Sequence, residues 1–331
     1  MNVLVTGGAG YIGSVIAARL LAAGHAVTVY DDLSRGHRAA VPAGATLVTG
    51  DIRDAGGVAA ALASGGCEAI VHMAALAEVA ESVAFPERYH DVNVGGTQAV
   101  LDAALRSGVS RLVFSSTAAV YGAPASIPID EDAPLAPANP YGETKLAAER
   151  LLAEAAAASG GRLATVALRY FNAAGADGPR GEDHAPESHL VPLALTAARD
   201  GTAPKVFGDD YPTPDGTCVR DYVHVSDLAA AHVAALERLP QAAGAYNLGT
   251  GSGSSVLEVL RAVAAATARE PAVEHASRRP GDPPVLVASN DRARRALGWR
   301  PQRRLDGIVA DAWAWMSDHP RGYDDRGGAR G

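Results

Sequence analysis

The sequence predicts an α/β protein, a doubly wound parallel sheet followed by a smaller C-terminal α/β lobe. Three observations predict it. Short β-branched runs alternate with Ala- and Leu-rich stretches up to about residue 170, the pattern of strands joined by crossover helices. A glycine-rich turn, Thr6-Gly-Gly-Ala-Gly-Tyr-Ile-Gly13, separates the first run from the first helical stretch. After Phe171 the alternation fades, and loops rich in Gly, Pro and Asp at 173–188, 208–217 and 278–284 separate shorter elements.

Taken in order, the strands fall at 2–6, 26–30, 46–49, 69–72, 111–115 and 163–169. Each is a nearly continuous apolar run, as expected of strands covered on both faces. The first helix spans 13–23 and stops at Gly24, where a left-handed C-terminal cap needs no Cβ. The expected division is 1–170 for the first lobe and 171–320 for the second, which leaves room for later segments to return to the first sheet. Long loops with Asn, His, Arg and Tyr mark the second lobe as a binding lobe. The stretch 321–331, rich in Gly, Arg and Asp, reads as a flexible tail.

Composition narrows the function. With 48% hydrophobic and 20% charged residues the chain is an ordinary soluble globular protein, and its net charge of −8 disfavours nucleic acid as a partner. No apolar run approaches ~18 residues, so no membrane association is expected. The absence of a basic leader and the presence of only two cysteines point to the cytoplasm. Of 29 basic residues only Lys145 and Lys205 are lysines, so a lysine here asks for a reason.

The glycine turn lies where a dinucleotide turn must lie, between first strand and first helix, and makes the first lobe Rossmann-type. Gly7 permits the tight turn, Gly10 lets the backbone approach a pyrophosphate, and Gly13 lets helix and strand pack closely. Tyr11 and Ile12 lie in the turn, with the phosphates facing the N-terminus of the helix that follows. Asp31, ending the second strand, can accept hydrogen bonds from the adenosine ribose, and its charge opposes the 2′-phosphate of NADP, so NAD is the predicted cofactor. Asp51 and Ile52 are placed to meet the adenine, and Asn93 to meet ribose or amide, although either position could instead cap a helix.

Asn139-Pro-Tyr-Gly-Glu-Thr-Lys145 opens another helix, with Asn139 as N-cap and Pro140 at the first helical position. Tyr141 and Lys145 stand one turn apart, their Cβ atoms ~6 Å from each other, so an ammonium can stabilise a phenolate whose unperturbed pKa is about 10. Such pairs also occur on solvated faces, but arginine would serve there equally and has replaced lysine nearly everywhere else. Thr117 follows the fifth strand, at the carboxyl edge where ligands of such sheets bind.

Together Gly7-x-x-Gly-x-x-Gly13, Thr117 and Tyr141-x-x-x-Lys145 make the chain resemble the extended short-chain dehydrogenase/reductase family. Five further segments narrow the resemblance to the UDP-glucose 4-epimerases, in that family's order and up to about Tyr323. They are Arg169-Tyr-Phe-Asn172, Gly208-Asp-Asp-Tyr-Pro-Thr-Pro-Asp-Gly-Thr217, Val219-Arg-Asp-Tyr-Val-His-Val225, Tyr246-Asn-Leu-Gly249 and Arg278-Arg-Pro-Gly-Asp282.

The resemblance implies interconversion of UDP-glucose and UDP-galactose, a step of galactose metabolism, through transient oxidation at sugar C4 by tightly bound NAD, a 4-keto intermediate and return of the hydride. It implies that Tyr141 is the base, that Lys145 lowers its pKa and holds the nicotinamide ribose, and that Thr117, often serine in the family, bonds the 4′-oxygen. It adds Asp32, Ala74 and Phe171 to the cofactor site. Arg220 and Arg279 would grip the UDP pyrophosphate and Asp282 the nucleotide ribose. Asn172, His189, Leu190, Phe207 and Leu286 would complete the nucleotide-sugar pocket. On the residues alone, the arginines could be a solvated pair, and Leu190 and Phe207 plain core. A homodimer is implied as well, with the helices at 93–105 and 141–158 as its interface.

Three positions depart from the family. Ala77 stands where many members carry a lysine near the cofactor phosphates, His189 replaces a common asparagine beside the UDP phosphates, and bulky Leu286 predicts weak or no activity on UDP-GlcNAc. A 4,6-dehydratase would carry an Asp-Glu pair after Thr117, where Ala118-Ala119 stand. A decarboxylase or a non-catalytic NAD sensor on the same scaffold is the remaining rival, and the intact Tyr141/Lys145 pair opposes the sensor. His189 and His224 belong to no His-Glu-x-x-His spacing, so no metal is assigned.

Overall fold

Apolar strands that bury both faces need a helix layer on each side, and the chain supplies one. The computed structural model describes residues 1–279 and 282–324. Its first half runs β1 (Asn2–Thr6), α1 (Tyr11–Ala22), β2 (Ala26–Asp31), β3 (Thr46–Thr49), α2 (Ala55–Ser64), β4 (Ala69–His72), the short helices α3 (Val79–Ala84) and α4 (Pro86–Tyr89), α5 (Gly96–Arg106), β5 (Arg111–Thr117), α6 (Pro140–Ala158) and β6 (Ala164–Tyr170). The second half runs β7 (Asn172–Ala174), α7 (Leu190–Asp200), β8 (Lys205–Phe207), β9 (Val219–His224), α8 (Val225–Arg238), β10 (Gly244–Leu248), β11 (Gly253–Ser255), α9 (Val256–Thr267), β12 (Glu274–Ala276), β13 (Val285–Leu286), α10 (Asp291–Leu297) and α11 (Leu305–Asp318).

The main sheet has seven parallel strands in the order β10-β6-β5-β4-β1-β2-β3. Side chains alternate between its two faces. Val3 and Val5 meet Val15, Ile16 and Leu20 of α1 and Leu228 and Leu236 of α8 in one core, while Leu4, Ile70 and Leu112 join Val58 of α2, Leu101 of α5 and Leu152 of α6 in the other. Burying each such side chain contributes roughly 1.5–3 kcal/mol. Because β1 has β2 on one side and β4 on the other, the chain reverses its winding there, and a crevice opens at the carboxyl ends of these strands.

The six strands expected from sequence are all present. Hydrogen-bonded pairing with β6 carries β5 on to Thr117, in register with Tyr170. The seventh strand, β10, is supplied by the second half. Its Asn247 breaks the apolar run that would have advertised it, and tertiary partners satisfy that side chain: the Tyr121 hydroxyl donates to Oδ1 at 2.7 Å, and Nδ2 donates to the Ile129 carbonyl at 3.0 Å.

The rest of the second half builds a smaller layer. β11, β13 and β7 flank β9 in a four-stranded sheet, β12 pairs with β8, and α7, α9 and α11 enclose a core of Val191, Leu195, Val259, Val263, Ile308 and Val309. The stretch expected to be flexible, 321–331, begins with a fixed residue: Tyr323 is buried, its N–H donates to Asp183 Oδ2 at 2.9 Å, and its ring stacks on His37. Residues 325–331 lie outside the described part of the chain.

Candidate active site

The glycine turn is shaped partly by the protein and partly for something else. Gly7 has φ +68°, and a Cβ there would sit 2.6 Å from the backbone N of Ala74; at Gly13 it would lie 2.1 Å from the Gly7 carbonyl oxygen. At Gly10, the N-cap of α1, a Cβ would meet only that same oxygen, at 3.3 Å. Packing therefore dictates glycine at 7 and 13 but hardly at 10, where the open backbone suits a close-lying phosphate. No side chain caps α1 and no acidic residue occupies its first turn, so its N-terminus is suited to an anion. Tyr11 is buried and its hydroxyl donates to the Gly175 carbonyl at 2.5 Å, tying the turn to the second half.

Asp31 is buried at the end of β2, with the N–H groups of Ala9 and Leu33 donating to its two oxygens at 2.9 Å each. Burial raises its pKa and these two bonds oppose the rise. Each oxygen keeps a second lone pair for a ribose hydroxyl. These features fit a bound dinucleotide lacking a 2′-phosphate. Asp32 is exposed and caps Ser34, and Ala77 is exposed. Asp51 is engaged by Arg53 at 2.5 Å, which holds its carboxyl below the usual range, and Ile52 packs over Gly96.

Asn93, expected to touch the cofactor, is buried and makes internal hydrogen bonds. It lies on a π-helical turn, His90–Gly95, accepts from the Leu76 N–H at 2.8 Å, and donates to the Leu76 carbonyl and to Thr144 Oγ1 at 3.0 Å. Both amide hydrogens are committed, which pins the loop after β4 to the helix that bears Tyr141.

That helix, α6, starts as its residues dictate: Asn139 accepts from the Gly142 N–H at 2.9 Å, with Pro140 following it. Thr117 lies within hydrogen-bonding reach of the Tyr141 phenol. Lys145 is buried, donates from Nζ to the Ser115 carbonyl at 2.8 Å, and lies 4.8 Å from the centroid of the Phe114 ring. Burial lowers its pKa to about 7, with Glu149 opposing. The Tyr141 phenol is pushed up to about 12 by burial, with Thr117 pulling it down and Glu78 adding to the rise. The Lys145 ammonium meets the strand carbonyl of Ser115. His72, at the end of β4, links this pair to the turn: Thr6 Oγ1 lies 2.7 Å from its Nδ1, and burial together with the nearby Lys145 lowers its pKa to about 3.

Several of the residues expected to meet the nucleotide contact one another. Arg220 on β9 forms an ion pair with Asp282, Arg279 lies 4.1 Å over the ring of Phe207, and Leu286 pairs in register with Arg220. Leu286 also joins Phe171, Tyr121 and Val120 in one cluster. Asn172 starts β7 in register with Tyr222, and Leu190 starts α7 against the second core. His189 stands at the N-cap position of α7 without a side-chain cap bond and lies 2.9 Å from both Glu182 and Glu187.

Several contributors escaped the sequence reading. Arg169 makes a two-pronged pair with Glu149 at 2.9 and 2.7 Å and donates to the Tyr121 hydroxyl at 2.8 Å, locking β6 to α6. Asp221, fully buried, accepts from the N–H groups of Thr250, Gly251 and Ala288 and so holds the loops around β9. Their segments carried the signal, an ionisable residue inside an apolar run. Glu182, His184, Glu187 and His189 converge on one point, a spacing on a loop where a helical metal motif was sought.

A glycine turn at a winding reversal, with Thr, Tyr and Lys beside it, defines a dinucleotide-dependent enzyme of the extended short-chain dehydrogenase/reductase class. The NAD dependent epimerase/dehydratase family matches residues 3–249. A UDP-glucose 4-epimerase of Streptomyces lividans is 52% identical over 327 residues, 98% of either chain. The crystal structure of UDP-glucose 4-epimerase from Brucella ovis in complex with NAD superimposes with a TM-score of 0.91 at 48% identity, covering 95% of this chain and 97% of that one. The enzyme from Stenotrophomonas maltophila with bound NAD and formylated UDP-arabinopyranose gives 0.94 at 41% identity, covering 98% and 100%. The chain belongs to the NAD-dependent epimerase/dehydratase family and, within it, to the UDP-glucose 4-epimerases.

Proposed function

We propose that the chain interconverts UDP-glucose and UDP-galactose at C4 of the hexose, using NAD held on the glycine turn. The observation that carries this reading is the convergence of Thr117, Tyr141 and Lys145 at the carboxyl end of β5, joined to the turn through His72 and Thr6. Gly7, Gly10, Gly13 and Asp31 would hold the dinucleotide, with Lys145 beside its nicotinamide end. Oxidised NAD bound there would supply the hydride acceptor and a positive charge that favours the phenolate.

Tyr141 takes the proton of the sugar 4′-hydroxyl as C4 is oxidised, and Thr117 orients that oxygen. The 4-keto sugar presents its other face, and Tyr141 returns the proton to the 4′-oxygen of the epimer. Arg220, Arg279 and His189 meet the diphosphate, and the Arg220–Asp282 pair exchanges partners to do so. Leu286 crowds the sugar end and disfavours an N-acetyl group. The test mixes purified protein with UDP-galactose and no added NAD: UDP-glucose should accumulate to a fixed ratio with no net NADH, and failure to form it would overturn the reading.

The two free cysteines, Cys67 and Cys218, are buried, and among the described residues no helix is long and apolar enough to cross a membrane, which supports work in the reducing cytoplasm in galactose metabolism. A homodimer through α5 and α6 is part of the same reading, supported by exposed Leu105 on α5 and Val83 and Phe85 beside α6. Light scattering at twice the chain mass would support it.

A further inference from the structure

We propose that Glu182, His184, Glu187 and His189 form a binding site for one divalent first-row transition ion, zinc being the best fit. His189 also belongs to the proposed diphosphate site, and the test reads metal binding rather than turnover, so the two readings can fail separately. The four side chains come from one short loop ahead of α7 with the spacing Glu-x-His-x-x-Glu-x-His, and one ligand atom from each lies within 4.8 Å of the other three.

The distances match a coordination shell. Tetrahedral zinc with bonds of ~2.0–2.2 Å to nitrogen and oxygen has ligand-to-ligand edges of ~3.3–3.5 Å. Here His189 Nδ1 lies 2.9 Å from both Glu182 Oε1 and Glu187 Oε1, and His184 Nδ1 lies 3.2 Å from Glu182 Oε1 and 3.9 Å from Glu187 Oε2. These four separations bracket that length and the whole set of ligand atoms lies within 4.8 Å, so side-chain rotations that draw the atoms together would close the shell.

Hydrogen bonding alone leaves the cluster unsatisfied. Two imidazole nitrogens lie 3.2 and 2.9 Å from one oxygen of Glu182, while the hydrogen bond of His189 Nδ1 goes to Glu187. His184 Nδ1 is a buried atom that makes no hydrogen bond, because its 3.2 Å approach to Glu182 is misdirected for one. A proton can serve only one of these directions at a time, whereas a cation at the centre serves all four.

The surroundings hold the donors in place. Glu187 Oε1 accepts from the Ser188 and His189 N–H groups at 2.7 and 2.8 Å, Ser188 donates to Glu78 at 2.5 Å, and Arg35 donates to the Ala185 carbonyl at 3.1 Å. Two imidazoles with two carboxylates favour zinc, cobalt or nickel over magnesium or calcium, which take all-oxygen shells. The His184 ring lies edge-on to Tyr11, 6.3 Å between centroids, so the ion would brace this loop against the glycine turn.

The experiment strips the full-length protein with a chelator and titrates it with Zn2+ against a chromophoric competitor, and separately with Co2+ while recording visible absorption. One ion per chain is expected, with the intense bands of four-coordinate cobalt and no displacement by excess Mg2+ or Ca2+. His184→Ala and Glu182→Gln, each checked for native circular dichroism, should weaken Zn2+ binding at least about tenfold. Saturating Zn2+ should raise the Tm of the parent protein and not of the variants. Equal Zn2+ affinity in parent and both variants, or displacement by Mg2+, would overturn the proposal.

Discussion

The two sides of the crevice are prepared in different ways. On the dinucleotide side the groups are fixed by the backbone: Gly7 and Gly13 by close approach, Asp31 by two amides, Lys145 by a strand carbonyl. On the nucleotide-sugar side the charged groups are fixed by each other, Arg220 by Asp282 and His189 by two glutamates. The first arrangement costs little reorganisation when a ligand arrives and suits a partner that stays. The second must exchange partners at each visit, which suits a partner that leaves.

The largest effect should come from the chemistry between them. Tyr141→Phe removes the proton acceptor, and kcat is expected to fall by at least ~10²–10⁴-fold while bound NAD, read by its absorbance after denaturation, stays near the parent level. Retained turnover would move the base elsewhere.

Next come the glycines, which separate packing from ligand approach. Gly13→Ala drives a methyl against the Gly7 carbonyl and should destabilise the fold by ~1–3 kcal/mol or more, seen in denaturant melts. Gly10→Ala should change stability by no more than about 0.5 kcal/mol yet reduce NAD retention. Equal destabilisation by both would erase the distinction drawn for the first side.

On the second side, Arg220→Ala deletes a charge-assisted contact and should raise KM for the UDP-sugar by roughly 10- to 100-fold, the equivalent of ~1.5–3 kcal/mol, with kcat less affected. Asp282→Asn weakens the grip on that arginine and should change KM less. A larger effect on kcat than on KM in Arg220→Ala would mean that the pair positions the reacting sugar.

The last prediction concerns pH. Lys145 has a folded pKa of about 7 against an ordinary 10.5, so between those values the unfolded chain binds the extra proton and stability rises with pH; below about pH 7 both states are charged and the burial cost is present in full. Lys145→Met should flatten that part of the stability profile. An unchanged slope between pH 7 and 10.5 would show that the ammonium is better solvated than its burial implies.

How much of this was legible in the sequence differs by side in the same way. β1 to β6 follow from apolar runs, and Tyr141, Lys145 and Thr117 from spacing and from the rarity of lysine. Asn93 was legible as a polar residue of consequence but its protein partners were not, because only the fold brings Leu76 and Thr144 to its amide. β10 was hidden by Asn247, whose partners are distant in sequence.

Local chemistry determined by itself the alternation of strand and helix, the glycine turn and the Tyr–Lys pair, since each depends on neighbours within a turn or a strand. Only the tertiary structure decided where the Lys145 ammonium points, that Arg220 meets Asp282, and that two glutamates and two histidines converge ahead of α7. Those outcomes depend on which loops the packed cores bring together and how much water they exclude, and no periodicity along the chain encodes either.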